Sequence, residues 1–195
     1  VLGLNVLSGY SGQLSLGHGA FLGIGAYAAA ILVTFTGMHY LLAIPAAGVI
    51  SALFGFLIGL PALRLHGHYL ALATFGLALA LPQILKHKAL EPWTGGAQGF
   101  ILDWPEPPFE FSVAGVELDA DRWFYFVVLT ACVIVFGLCW GILRGRPGRA
   151  FVALRDHPIA AATMGVELTR TKTTAFAISA AIAGVAGALL AITTA

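Results

Sequence analysis

Two long apolar runs near the end of the chain most constrain its fold. Residues 123–143 and 173–195 comprise 21 and 23 residues, and neither run contains a charged side chain. Because an α-helix needs about 20 apolar residues to cross the hydrocarbon core of a bilayer, each run can span a membrane once. The composition agrees, since 59% of residues are hydrophobic and only 10% are charged, unlike soluble domains. The sequence therefore predicts an all-α, polytopic transmembrane helix bundle.

Three further apolar segments precede these runs. Residues 20–35 and 41–63 are separated by a short turn, and the second is long enough to span a membrane. Residues 69–85 are shorter and contain Pro82, so their helix either starts near residue 65 or is broken within the protein. The chain begins without Met and ends inside an apolar run. We therefore expect one partial transmembrane domain, residues 1–195, that lacks both ends.

The charged residues are divided unequally between two polar segments. Residues 86–122 hold three cations and seven carboxylates, a net charge of −4, whereas residues 144–172 hold six cations and two carboxylates, a net charge of +4. Lys and Arg near span ends favour the cytoplasmic side. We predict that 86–122 is an external loop, irregular because of its Pro and Gly residues but with strand-like pieces near 109–118, and that 144–172 is cytoplasmic.

Small residues recur at four-residue spacing within the apolar segments. On a helix this spacing makes a groove that a second helix can approach closely, which predicts tight packing within a bundle. The pairs are Gly19 and Gly23, Gly55 and Gly59, Ala180 and Gly184, and Ala183 and Gly187.

The segment 8–19 is too rich in glycine for a straight lipid-facing helix. It holds four glycines, three serines, a Gln and a His, and each interior glycine costs a helix about 1 kcal/mol relative to Ala. An interrupted or re-entrant helix that lines a polar cavity is one interpretation, and a tightly packed helix with hydrogen-bonded side chains is the other. The candidate pathway residues are Ser8, Ser11, Gln13, Ser15, Gly17 and His18.

A second glycine-rich stretch lies in the predicted external loop. Thr94, Gly95, Gly96 and Gln98 could form a nest of backbone N–H groups that binds a carboxylate. A plain glycine-rich turn is the alternative.

Enzymatic and ion-coupled functions have little support in the sequence. It contains no nucleotide-binding, hydrolase or metalloprotease motif, and no metal-ligand spacing. All nine carboxylates lie at 91–121, Asp156 or Glu167, whereas ion-coupled carriers commonly hold such groups within their spans. A non-enzymatic membrane protein whose energy comes from a partner is therefore expected, with a stand-alone carrier or channel and a membrane anchor as alternatives.

The cytoplasmic segment has the pattern of two short helices. Residues 149–155 can form the first, and Asp156 and Pro158 supply a capping carboxylate and a first-turn proline for the second, which Gly165 would stop. Small Ala160 and Ala161 on the second helix suit insertion into a groove on another protein. An amphipathic helix on anionic lipid is the alternative.

Four stretches also carry a family resemblance when taken together and in order. They are residues 5–21 with Gly25-Ala26-Tyr27, residues 63–69 with Ala73-Thr74, Thr94-Gly95-Gly96 with Gly99, and residues 148–172 with 175–188. The chain resembles permease subunits of branched-chain amino-acid ABC transporters of the LivM type, over nearly its whole length.

The resemblance implies a bacterial-type inner-membrane, multi-pass importer permease for branched-chain or related hydrophobic amino acids. Related permeases take urea, amides or aromatic acids, which remain alternatives. Expected partners are a second permease subunit, two cytoplasmic ABC ATPase subunits that use ATP and Mg, an extracytoplasmic binding protein and membrane lipid; no cofactor is expected in this chain, and no nucleic acid as a partner. Thr74 joins the candidate pathway. Residues 144–172 become the coupling segment to the ATPase, with candidate contacts Gly148, Arg149, Arg155, Asp156, Ala160, Ala161 and Gly165.

Overall fold

A computed structural model describes residues 1–62, 68–96, 112–113, 116–117 and 120–193. The α-helices are α1 (Leu2–Leu4), α2 (His18–Thr36), α3 (Tyr40–Ala62), α4 (His68–Leu85), α5 (Glu91–Thr94), α6 (Ala120–Arg144), α7 (Arg146–Asp156), α8 (Pro158–Thr163) and α9 (Leu168–Thr193). The structure also contains a π-helix at Asn5–Tyr10, between α1 and α2, and a two-stranded hairpin of β1 (Ser112–Val113) and β2 (Val116–Glu117), which precedes α6.

Four of these helices, α2, α3, α6 and α9, are long and apolar enough to cross a membrane. The prediction of an all-α transmembrane bundle is therefore confirmed, and β1 and β2 confirm the strand-like pieces near 109–118. α4 continues through Pro82 without interruption, whereas residues 63–67, where its alternative start was predicted, lie outside the described residues. α9 begins at Leu168, so the last residues assigned to the cytoplasmic segment are its first turn.

The core of the bundle consists of α2, α3 and α9. α2 runs parallel to α9, because His18 lies beside Ser179 and Gly25 packs on Gly184. α3 runs antiparallel to α9: the methyl group of an alanine at Gly48 would lie 2.7 Å from Val185 Cγ2, whereas near the other end of α3 Gly59 faces Thr173. This arrangement puts the C-terminal end of α3 at the same level as the start of α9.

The predicted small-residue packing is confirmed at three glycines. A methyl group added to Gly55, Gly184 or Gly187 would overlap atoms of the facing helix. A methyl group added to Gly59 would make only ordinary contacts with Phe176 and Thr173, and one added to Gly19 would have no atom within 4 Å. Close helix approach therefore explains only part of the four-residue pattern. Sequence spacing missed Gly25, whose added methyl group would overlap the Gly184 backbone.

α6 lies at the edge of the described bundle, with most of its apolar side chains exposed. Near its N-terminal end Trp123 Nε1 donates to the Tyr40 hydroxyl at 2.7 Å, and near its C-terminal end the Arg144 guanidinium lies 4.3 Å from the centre of the Trp140 ring. Seventeen residues separate the two tryptophans, about 25 Å along a helix. This separation fits aromatic side chains at the two interfaces of a membrane.

Candidate functional site

The predicted helix interruption is present. The π-helix ends at Tyr10, residues 11–17 are not helical, and α2 begins at His18. Gly12 has a left-handed backbone conformation with φ of +69°, which glycine adopts at no steric cost. We call residues 11–17 the break.

The chain around the break is re-entrant. Ser179 Oγ donates a hydrogen bond to Gly3 O at 2.7 Å, and His18 Nδ1 lies 3.4 Å from Ser179 Oγ. Between them, Gln13 Nε2 lies 3.4 Å from Lys172 O. Ser179 and Lys172 are seven residues, or about 10 Å, apart on α9. The chain therefore moves about 10 Å along α9 towards the N-terminal end of that helix and then returns to start α2.

Polar side chains of the break are buried and bonded largely to one another. Ser11 Oγ donates to Leu7 O at 2.7 Å, and Gln13 Nε2 donates to Ser11 Oγ at 3.0 Å. Ser8 Oγ donates to Gln13 O at 3.0 Å. Three of the predicted pathway residues thus form one connected cluster, in which the Gln13 amide links the break to the start of α9.

The far end of the break packs against α4. Leu16 N donates to Thr74 Oγ1 at 3.0 Å, and Thr74 Oγ1 in turn donates to Ala71 O at 2.9 Å. A methyl group added to Gly17 would overlap the Thr74 carbonyl. Thr74, expected in the pathway only because of the family resemblance, is therefore in direct contact with the break.

Ser15 differs from Ser8 and Ser11. Its side chain is 8% exposed, and its buried hydroxyl has no hydrogen-bond partner among the residues that the structure describes. A buried hydroxyl without a partner costs about 1–3 kcal/mol, so this group has unused capacity to bind a polar ligand or a further part of the protein.

An open apolar cleft of about 510 Å³ separates α6 from α3. It is lined by Leu41 and Pro45 of α3 and by Phe126, Thr130 and Ile134 of α6, among others. None of the candidate pathway residues lines this cleft.

Sequence reasoning missed two hydroxyl groups at the centre of the bundle. Ser179 joins α9 to Gly3 and His18, and Ser51 on α3 is fully buried with its Oγ 3.3 Å from Phe21 O. Their signal is weak in sequence, because a single serine among Ala and Gly residues is usual on a packed helix face.

Residues 144–172 contain the two predicted helices, but the first begins at Arg146 instead of residue 149. α7 turns sharply away from α6 at Gly145, and a methyl group added to Gly148 would overlap the Leu143 carbonyl. Phe151 and Leu154 bury the inner face of α7. Arg149 lies on the exposed surface.

The predicted cap of α8 is wrong. Asp156 does not cap α8: it is the last residue of α7, His157 occupies the cap position, and no side chain bonds there. Its carboxylate is instead paired with Arg155 Nε at 2.9 Å. Ala161 is buried at 4% exposure, so its side chain packs on its own chain, and its contact with a partner stays a prediction.

The remaining features of α8 agree with the sequence. Pro158 lies in the first turn, and Gly165 follows the helix with φ of +85°, a conformation that stops a helix. Ala160 is exposed, and beside it Ile159 and Met164 are 84% and 86% exposed. The accessible surface of α8 is therefore apolar.

Arg155 is directed towards the break. Its Nη1 donates to Gly9 O at 2.9 Å, and its Cγ would lie 2.8 Å from a methyl group on Gly12. The side chain assigned to contact a partner is thus also a contact between α7 and the re-entrant part of its own chain.

The glycine turn at Gly95 and Gly96 forms the C-terminal end of α5. Gly95 N donates to Glu91 O at 3.0 Å, and Gly96 N donates to Thr94 Oγ1 at 3.4 Å. Thr94 is buried, with Oγ1 2.7 Å from Leu85 O. These two amides are used within the turn, which favours the plain-turn interpretation. Gln98, the fourth residue of the predicted nest, lies outside the described residues.

No group of three or more His, Cys, Asp and Glu side chains that could hold a metal ion occurs within the described part of the chain. Cys132 and Cys139 are free thiols, the first exposed and the second buried.

Comparison with known proteins identifies the family. A family model described as the permease component of branched-chain amino acid transport systems matches residues 1–195. In an alignment 209 positions long, the chain is 41% identical to the high-affinity branched-chain amino acid transport system permease protein LivM of Salmonella typhimurium, and it is 40% identical to the LivM protein of Escherichia coli K12.

Both alignments cover 97% of this chain and 48% of the relative, so the chain spans about half the length of the curated relatives it matches. No solved structure matches it. The match over the whole chain shows that it belongs to the family of permease components of branched-chain amino acid transport systems.

Proposed function

We propose that the chain forms part of the transmembrane subunit of an ATP-driven importer for branched-chain or related hydrophobic amino acids. The main support is its 40–41% identity, over 97% of its length, to permeases named for high-affinity branched-chain amino acid transport. The re-entrant break, with buried polar side chains between apolar spans, is the part of the chain best suited to a translocation pathway.

The proposed partners are a second permease subunit, two cytoplasmic ABC ATPase subunits and an extracytoplasmic binding protein. The support for a cytoplasmic partner is the α7–α8 segment, which presents exposed Ile159 and Met164 within a basic stretch. Apolar side chains of this size are costly to leave in water. ATP hydrolysis with Mg belongs to the ATPase subunits, and this chain contributes no catalytic group.

Reconstitution of the complex tests this function. The permease subunits, ATPase subunits and binding protein would be placed in liposomes, and uptake of labelled leucine would be measured with and without ATP. We expect uptake that requires ATP and binding protein and that excess isoleucine or valine reduces. Uptake without any ATPase subunit would instead favour a stand-alone carrier or channel.

Competition experiments separate the related substrate classes. Urea, acetamide and phenylalanine would each be added in excess over labelled leucine. We expect little competition from urea and acetamide, because neither has an amino-acid carboxylate. ATP-driven uptake of urea or acetamide without uptake of leucine would contradict the proposed substrate and support the alternative permease class.

A further inference from the structure

The contact between Arg155 and the turn at Gly9–Gly12 joins two parts of the protein with different roles. Arg155 belongs to α7, in the segment proposed to meet the ATPase, whereas Gly9 and Gly12 lie where the chain turns into the break. Some 146 residues separate Arg155 from Gly9 in sequence. The contact is therefore a direct physical connection from the cytoplasmic segment to the break.

The geometry of this contact depends on both partners. Asp156 Oδ1 holds Arg155 Nε at 2.9 Å, which orients the guanidinium so that Nη1 reaches Gly9 O, also at 2.9 Å. Gly12 allows the approach, because an added methyl group would lie 2.8 Å from Arg155 Cγ and the φ of +69° disfavours any other residue. Lysine lacks the forked donors that bond two acceptors at once.

The turn transmits its position to the rest of the break through bonded neighbours. Ser8 Oγ bonds Gln13 O, and the Gln13 side chain bonds Ser11 and the start of α9. Leu16 bonds Thr74. A displacement of Gly9 would therefore act on residues 11–17 and, through them, on the first residue of α2.

We propose that Arg155 is a positioning residue that couples α7 to the break, so that movement of α7 on the ATPase moves residues 11–17 within the permease. This inference rests on the proposed function. The contact suits such a role because both side chains of the Arg155–Asp156 pair are about half exposed, at 45% and 52%. A half-exposed ion pair stabilises its own arrangement by little free energy. A partner that binds one arrangement of α7 and the break more tightly than another can therefore shift the equilibrium between the two arrangements.

Thiol labelling within the break tests the proposal. Leu14 is 50% exposed, and Leu14→Cys, in a permease with Cys132→Ala and Cys139→Ala, would report movement through its rate of reaction with a thiol reagent in the complete complex. We expect Arg155→Ala to change this rate about fivefold, which corresponds to about 1 kcal/mol, the typical worth of one hydrogen bond. Arg155→Lys should restore it only in part.

The response of the Leu14→Cys labelling rate to nucleotide is a second readout. A purely structural role of Arg155 would leave this response unchanged. With Arg155 present, a non-hydrolysable ATP analogue should alter the labelling rate of Leu14→Cys. With Arg155→Ala the rate should no longer depend on nucleotide, and leucine transported per ATP hydrolysed should fall. Arg146→Ala is the matched control, since Arg146 is an exposed arginine at the opposite end of the same helix.

The outcomes are distinguishable. A nucleotide response that persists in Arg155→Ala would overturn the positioning role, and so would a labelling rate in Arg155→Ala equal to that in Arg146→Ala. Either result would leave the proposed function intact if the wild-type complex takes up leucine. Absence of ATP-driven uptake in the wild-type complex would overturn the proposed function and this inference together.

Discussion

The Trp123 indole of α6 donates a hydrogen bond to the Tyr40 hydroxyl of α3 at 2.7 Å, across 83 residues of sequence. Tyr40 is 3% exposed, and its ring also packs against Phe124. Both residues lie at the start of their helices, so the bond fixes the N-terminal end of α6 to the core of the bundle. α6 is otherwise mostly exposed, and this bond is one of its contacts with the core of the bundle.

We expect Tyr40→Phe to lower the stability of the detergent-solubilised protein by about 0.5–1.5 kcal/mol, the typical net worth of one hydrogen bond. The ring and its packing are retained, so only the bond is lost. Trp123→Phe should have a similar effect, and the double variant should be no less stable than the worse single variant, because both changes remove the same interaction. Thermal unfolding of the three variants measures the loss of stability in each. If the loss in the double variant equals the sum of the losses in the single variants, the bond contributes nothing.

The close approach of α9 to α2 and α3 gives a second prediction. A methyl group at Gly184 would overlap Ser51 and lie 3.0 Å from Ala47 O, so Gly184→Ala should destabilise the protein by about 1–3 kcal/mol, the usual cost of overpacking. Gly76→Ala is the control, since an added methyl group there has no described neighbour within 4 Å. It should be neutral, or stabilising by up to about 1 kcal/mol. Equal melting temperatures for the two variants would contradict the close contact.

The spans and the break were predictable because each has a strong one-dimensional signal. An uncharged run of about 20 residues can hardly fold otherwise than as a membrane-crossing helix, and four glycines within residues 8–19 cannot continue such a helix cheaply. α9 begins at Leu168, before the apolar run at residue 173, because polar composition does not prevent helix formation.

The contacts of the coupling segment were not predictable in the same way. α8 has only six residues, too few for helical periodicity to decide that Ala161 faces inward while Ala160 faces outward. Asp156 has the spacing of a cap, but the nearby Arg155 competes for its carboxylate. The bond from Arg155 to Gly9 depends on the packing of helices far apart in sequence, which no local pattern encodes.

The membrane orientation gives a third prediction, from the charges of −4 and +4 on the two polar segments. In a background of Cys132→Ala and Cys139→Ala, exposed Lys88→Cys should react with a membrane-impermeant thiol reagent added to intact cells. Ile159→Cys, at a residue 84% exposed on α8, should react only after the membrane is opened. Labelling of Ile159→Cys in sealed cells would contradict a cytoplasmic location for α8.

The Ser15 hydroxyl, which has no partner among the described residues, allows a fourth prediction, which separates a role in transport from a role in folding. Ser15→Ala removes a buried group without a described partner, so stability should stay equal or rise. If Ser15 bonds the substrate during transport, uptake should fall about fivefold, as expected for about 1 kcal/mol. Gly17→Leu cannot make this separation, since it would overlap the Thr74 carbonyl. Unchanged uptake together with unchanged stability would remove Ser15 from the pathway.

The last prediction concerns the exposed apolar surface of α8, formed by Ile159, Ala160 and Met164. If this surface binds the ATPase, Ile159→Glu should weaken ATPase binding about tenfold or more, because burying an isoleucine contributes about 1.5–3 kcal/mol. The permease should still reach the membrane in normal amounts, since Ile159 makes little contact with its own chain. Ala161→Trp should behave differently and lower the stability of the permease itself, because Ala161 is buried.

The alternative, in which α8 lies on anionic lipid, predicts another pattern. Asp156→Lys would then strengthen attraction to the lipid and leave ATPase binding intact, and Ile159→Glu would leave ATPase binding unchanged as well. Co-purification of the ATPase and hydrolysis stimulated by the loaded binding protein would be measured in one preparation, with Arg146→Ala as control. Wild-type values in both assays for Ile159→Glu would refute docking through α8, because a buried carboxylate at that interface would have to be paired or neutralised at considerable cost.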